Sequence, residues 1–157
     1  MNESLKPRAF ETIVYGGLIV GILDGIFALV FYGLILGANP LRIFQSISAG
    51  LLGRETAYAG GVSTFLFGIV LHFVVATLIS AVYYAASLKL RFLIEKAVVC
   101  GLLYGMAAYL VMNYVVIPLS RAGSGATPIM NFLVAIIGHA LLVGLPIALI
   151  ARWSATK

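Results

Sequence analysis

The sequence predicts an all-α membrane protein, a four-transmembrane-helix bundle, and three observations carry that prediction. Of the 157 residues, 62% are hydrophobic and only 10% are charged, whereas charged residues make up about a quarter of a soluble chain. Four apolar stretches reach the roughly 20 residues needed to cross the hydrocarbon core of a bilayer. Within them apolar residues run on without strand alternation, which excludes a β-barrel and leaves helices to satisfy the backbone in lipid.

The first stretch, about 13–37, follows a short polar segment. It is longer than the apolar core of a cleavable signal peptide, so it is expected to remain in the mature chain. The connection that follows, 38–60, contains a helix start at Asn39-Pro40, with Leu41, Phe44, Ile47 and Leu51 at helical spacing. It predicts a short amphipathic surface helix over about 40–53 in the first outer loop. The second span covers about 61–88 and the third about 97–118, where Pro118 ends or kinks it; the fourth covers about 129–151 and is loosened by Pro146. Between the last two spans, Ser120-Arg121-Ala122-Gly123-Ser124-Gly125 predicts a flexible loop without the lysine of a phosphate-binding loop.

Charge gives the topology. Lys6, Arg8, Lys89, Arg91, Lys96, Arg152 and Lys157 fall on one side of the four spans, and Arg42, Arg54 and Arg121 on the other. Basic residues collect in the cytoplasm, so both termini and the middle connection are expected there. The net charge of +5 is accordingly read as a topology signal with an affinity for anionic membrane lipids, and nucleic acid is not an expected partner. Cys100 is alone inside the third span, so neither a disulfide framework nor a thiolate metal site is available.

The chain also resembles itself. Residues 65–72, ending in His72, align with 132–139, ending in His139, and Gly17 and Gly21 align with Gly101 and Gly105. Two hairpins in tandem predict an internal parallel repeat with its approximate two-fold axis along the membrane normal. Gly17, Gly21 and Gly25 in the first span, and Gly101 with Gly105 in the third, are expected at helix-packing faces, because close approach in lipid depends on small residues.

Asp24, His72 and His139 carry the functional expectation. Each lies near the middle of a span, where an ionisable side chain is costly and marks a site by default. At roughly 100° per residue Asp24 falls within about 20° of Gly17 and so faces other helices. The stripe Thr64, Gly68, His72, Ala76 and Ser80 turns His72 inward, Asn131, Ala135 and His139 do the same in the fourth span, and Asn113 adds a polar group to the third. The expected site is therefore a buried midplane polar cluster of Asp24, His72, His139 and Asn113, holding a proton or a cation or simply fixing the bundle in register.

The sequence contains no nucleophile elbow, metalloprotease helix or dinucleotide fingerprint, and a non-enzymatic role without a cofactor is expected. The alternative is an electron-transfer subunit with haem b between His72 and His139 as axial ligands.

The runs Asn39-Pro40-Leu41-Arg42-Ile43-Phe44-Gln45-Ser46, Met112-Asn113-Tyr114-Val115-Val116-Ile117-Pro118-Leu119-Ser120 and Val143-Gly144-Leu145-Pro146-Ile147-Ala148-Leu149 resemble a family of small bacterial four-span inner-membrane proteins. The resemblance covers most of the chain and implies a bacterial inner-membrane location. It carries over no functional residue. The expected role is that of an accessory or assembly component of a larger membrane complex, as a homo-oligomer or with other membrane-protein subunits.

Overall fold

The computed structural model describes residues 6–123 and 128–157, so Ser124 and Gly125 of the predicted loop lie outside it. The chain forms seven helices among the described residues: α1 (Glu11–Ile35), α2 (Pro40–Leu52), α3 (Arg54–Ala59), α4 (Gly61–Ser87), α5 (Phe92–Glu95), α6 (Ala97–Leu119) and α7 (Ile129–Ala155). α1, α4, α6 and α7 are long and apolar enough to cross a membrane. The protein is a multi-pass, all-α membrane bundle.

The four long helices pack in the order α4, α1, α7, α6. α1 lies between α4 and α7. α4 and α6 meet near the end that carries both termini, where Tyr104 Oη donates to the Ile79 carbonyl at 2.6 Å and the Tyr83 and Tyr104 rings sit 4.9 Å apart. Farther along, α4 and α6 part around an apolar groove of about 340 Å³ lined by residues such as Leu78, Val82, Ala108 and Val111.

Glycine sets how closely these helices approach. Gly17 and Gly21 of α1 lie under Thr77 and Phe73 of α4, with no room for a side chain. Gly101 and Gly105 of α6 lie against α7 in the same way, backbone to backbone: a Cβ on Gly105 would meet the Ala140 Cα at 2.7 Å, and Gly144 packs directly on Gly101 and Gly105. Gly25 is looser and leaves a 3.5 Å space for the His72 ring.

The long helices are not regular throughout. Wide turns with five-residue hydrogen bonds occupy Leu29–Ile35 in α1, Met112–Val116 in α6 and Ala140–Gly144 in α7. The last two each end two residues before a proline, Pro118 and Pro146. Proline lacks an N–H and its ring crowds the carbonyl four residues back, so the helix relaxes by widening one turn: Ile117 N–H reaches the Met112 carbonyl and Leu145 N–H the Ala140 carbonyl. Both helices then continue, α7 to Ala155.

α2 starts as its sequence predicts, with the Asn39 side chain accepting from Leu41 N–H at 2.9 Å and Pro40 as its first residue. Its buried face is largely the small and polar one. Gln45, Ser48 and Ala49 are buried against α4 along with Phe44, while Leu51 is 57% exposed. Gln45 Nε2 donates to the Gly61 carbonyl at 2.9 Å and to Thr64 Oγ1 at 3.2 Å, and Thr64 Oγ1 donates to the Ala57 carbonyl at 2.6 Å. With lipid outside, polar groups gain most from turning toward a neighbouring helix.

At the terminus end the bundle closes on an apolar core that includes Val20, Ala76, Tyr83, Ile94, Val143 and Ile147. Thr12 Oγ1 and Ser154 Oγ, 3.0 Å apart, join α1 to the tip of α7, and Arg8 N–H donates to the same Ser154 hydroxyl at 3.1 Å. Tyr83, which from its place near a span end reads as an interfacial anchor, is instead fully buried with its hydroxyl on the Leu93 carbonyl at 2.8 Å. The α5 connection folds over it.

Candidate functional site

α1 divides its inward sector between two neighbours. Gly17, Gly21 and Gly25 turn to α4, whereas Phe27 packs on Gly138 of α7 and Asp24 reaches His139 of the same helix. His139 Nε2 and Asp24 Oδ1 are 3.8 Å apart, with about one fifth of each side chain exposed. That is an ion-pair separation, longer than a direct hydrogen bond. The ring is held from its other side by Nδ1, 2.9 Å from the Ala135 carbonyl one turn back, and Tyr109 of α6 lies against it with ring centroids 5.0 Å apart.

This geometry fixes the chemistry of the pair. A carbonyl oxygen only accepts, so Nδ1 carries a hydrogen, and in the neutral ring Nε2 is left as a bare acceptor. Facing it is a carboxylate, which also only accepts. Neutral imidazole opposite ionised Asp24 therefore sets lone pair against lone pair; one added proton turns the contact into imidazolium with carboxylate, or imidazole with carboxylic acid. The arrangement has a place for one proton.

Magnitudes argue against a purely stabilising purpose. Two unit charges about 4 Å apart attract by about 4 kcal/mol at an effective dielectric of about 20. Withdrawing each from water costs several kcal/mol. Such a pair adds little to stability, and an apolar pair of similar shape would serve the fold as well.

The other expected members of the cluster lie elsewhere. His72 approaches the same turn of α1 from α4, and its Nε2 donates to the Gly21 carbonyl at 2.8 Å, with Phe44 and Phe73 edge-on to the ring. It touches Gly25, next to Asp24 in sequence, but its hydrogen bond goes to the backbone. Asn113 Nδ2 donates to the Tyr109 carbonyl in its own helix at 3.0 Å. The structure thus brings Asp24 and His139 together and leaves His72 and Asn113 with backbone partners.

Tyr109 and Tyr32 are the neighbours that the sequence reading missed. Tyr109 continues the Gly101, Gly105 stripe by one more step of four, which was a usable signal. Tyr32 lies within electrostatic range of Asp24 and Tyr109 within that of Tyr32. Position alone did not mark Tyr32, because it lies within the wide turn Leu29–Ile35 that shifts the phase of α1.

The histidines do not fit a haem held between them. An axial ligand needs a bare ring nitrogen aimed at iron; His72 Nε2 is committed to Gly21 and His139 Nε2 faces a carboxylate. Among the described residues no three His, Cys, Asp or Glu side chains converge as a metal site. Cys100 Sγ sits 3.6 Å from the Phe92 carbonyl, away from the pair.

Comparison with protein-family models, with curated proteins and with solved structures gives no match to this chain.

Proposed function

We propose that this multi-pass membrane protein is a non-enzymatic component of the bacterial inner membrane, with both termini cytoplasmic, whose Asp24–His139 pair binds one proton within the bilayer. The observation that carries this reading is the opposition of a bare Nε2 to a carboxylate at 3.8 Å, with the imidazole tautomer set by the Ala135 carbonyl. The excess of basic residues at the terminus end supports the orientation. An accessory or assembly role in a larger complex, as a homo-oligomer or beside other subunits, is supported by the long apolar helix faces, Leu18, Ile22 and Ile26 in α1 among them, that stay exposed for lipid or for other subunits.

We further infer that the chain is two copies of one hairpin. Gly17 on Thr77 and Gly21 on Phe73 in the first correspond to Gly101 on Gly144 and Gly105 on Ala140 in the second, in the same register as His72 and His139. Asp24 corresponds to Ala108, so only one half would carry the proton site.

The test is nitrogen NMR of ring-labelled histidine in the full chain. Asp24→Asn is expected to change the pH response of the His139 ring nitrogens, because Nε2 faces the Asp24 carboxylate, while leaving the His72 signal in place. Identical His139 curves in both proteins would remove the pair from the proposal. A Soret band in the purified protein, lost in His72→Ala or His139→Ala, would replace it with the haem reading.

A further inference from the structure

The Asp24–His139 pair marks a change in how tightly the helices close. On its terminus side buried positions recur every three or four residues, among them Val20, Gly101, Gly144, Ile147, Ala148 and Ala151. On its loop side they thin out in α1, α6 and α7, while α4 keeps Thr64 and Gly68 buried against α2. α6 has no buried residue from Met112 to Leu119, α7 has only Ala135 and Gly138 between Ile129 and His139, and α1 has only Gly25 and Phe31 beyond Asp24. α1, α6 and α7 thus bury fewer of their residues from the level of the pair outward, and the two tyrosines stand on that side.

The groups around the pair can be named helix by helix. Tyr32 comes from α1 and Tyr109 from α6; from α4, His72 turns its Nε2 to the Gly21 carbonyl; α2 sends Phe44 to His72, while Arg42 stays exposed and stacks on Tyr58, 5.2 Å from the ring centre. In the other direction lies about 20 Å of helix, from His139 to Ser154, with apolar packing and helix backbones in contact. Among the described residues the hydroxyls buried there, Ser80 and the Thr12–Ser154 pair among them, make no hydrogen bond to Asp24 or His139.

From this we infer that the pair exchanges its proton with the aqueous compartment at the loop end, along the less buried side of α1 and α6 where Tyr32 and Asn113 stand, and not with the compartment at the terminus end. The inference rests on the reading of the pair as a proton site and adds its sidedness. A hydronium ion from the loop end gives up a proton to the space between Nε2 and Oδ1 and leaves as water; release reverses the step. Access from one side makes the protein a receptor for the proton activity of that compartment and not a conduit across the membrane.

Cysteine accessibility in nanodiscs tests the route, because both faces are open to reagent and position alone decides the rate. In a Cys100→Ser background, Tyr32→Cys and Asn113→Cys are expected to react with a membrane-impermeant cationic methanethiosulfonate roughly tenfold or more faster than lipid-facing Val70→Cys, since only a hydrated thiol ionises to the reactive thiolate. Leu142→Cys, half-buried just below the pair, is expected to react as slowly as Val70→Cys. Fast reaction at Leu142→Cys, or slow reaction at both Tyr32→Cys and Asn113→Cys, overturns the inference. Histidine titration in the unsubstituted protein separates the two claims: titration with the wrong labelling pattern removes the sidedness alone, and its absence removes the proton site.

Discussion

Adding a single methyl group at Gly105 tests the packing argument where it is most exposed to failure. A Cβ there meets the Ala140 Cα at 2.7 Å and the His139 carbonyl carbon at 2.8 Å, whereas ordinary contacts begin at 3.4 Å. The shortfall is at least about 0.7 Å against backbone, which has no rotamer to yield, and the His139 carbonyl oxygen lies closer still, so α6 and α7 must separate by at least that distance. Overpacking of this kind costs about 1–3 kcal/mol. The control is Gly33→Ala in α1, where the new Cβ would lie 3.7 Å from Ile43 Cδ1 and 3.8 Å from the Ala38 carbonyl oxygen, both ordinary contacts. Alanine is favoured over glycine in a helix by about 0.5–1 kcal/mol, so this variant should be neutral or more stable. Unfolding in mixed micelles with rising sodium dodecyl sulfate, followed by near-ultraviolet circular dichroism, measures both. Equal midpoints for Gly105→Ala and the unsubstituted protein, or an equal fall for Gly33→Ala, would refute the claim that backbone contact sets this interface.

Two further substitutions probe the polar contacts. His72→Phe keeps a ring between Phe44 and Phe73 but loses the hydrogen bond to Gly21; a loss of about 0.6 kcal/mol is expected, against about 3 kcal/mol or more for His72→Ala, which also empties the site. Similar losses would mean that the hydrogen bond, and not the ring, holds α4 to α1. Thr12→Val and Ser154→Ala remove the hydroxyl pair at the terminus end, and their double-mutant cycle in the same assay should show coupling of about 1 kcal/mol; strictly additive losses would mean that the 3.0 Å contact contributes nothing.

Much of the architecture was legible in the sequence because a membrane span is a local property. A helix in lipid satisfies its own backbone, so hydropathy and length locate it without knowledge of any neighbour. The glycine stripes were legible for a related reason: close approach of helices in lipid depends on small residues, and Gly17, Gly21, Gly101 and Gly105 all sit at close helix contacts, whereas Gly33 and Gly37, also four apart, do not. The start of α2 at Asn39-Pro40 was equally local, whereas its buried face was not, since which side turns inward depends on α4 supplying Gly61, Thr64 and Gly68.

The composition of the site required the tertiary structure. By helical phase Asp24 points the same way as Gly17, within about 20°, yet Gly17 rests on α4 and Asp24 meets α7. A helix wedged between two partners divides one inward sector between them, and phase cannot say where the division falls. His72 and His139 are alike in sequence setting, but one finds a backbone carbonyl and the other a carboxylate, because α1 offers a bare glycine turn on one side and a side chain on the other. Local hydrogen bonding and transfer from water thus determined which segments enter the membrane; the order and closeness of helix packing decided which two of its ionisable groups face each other.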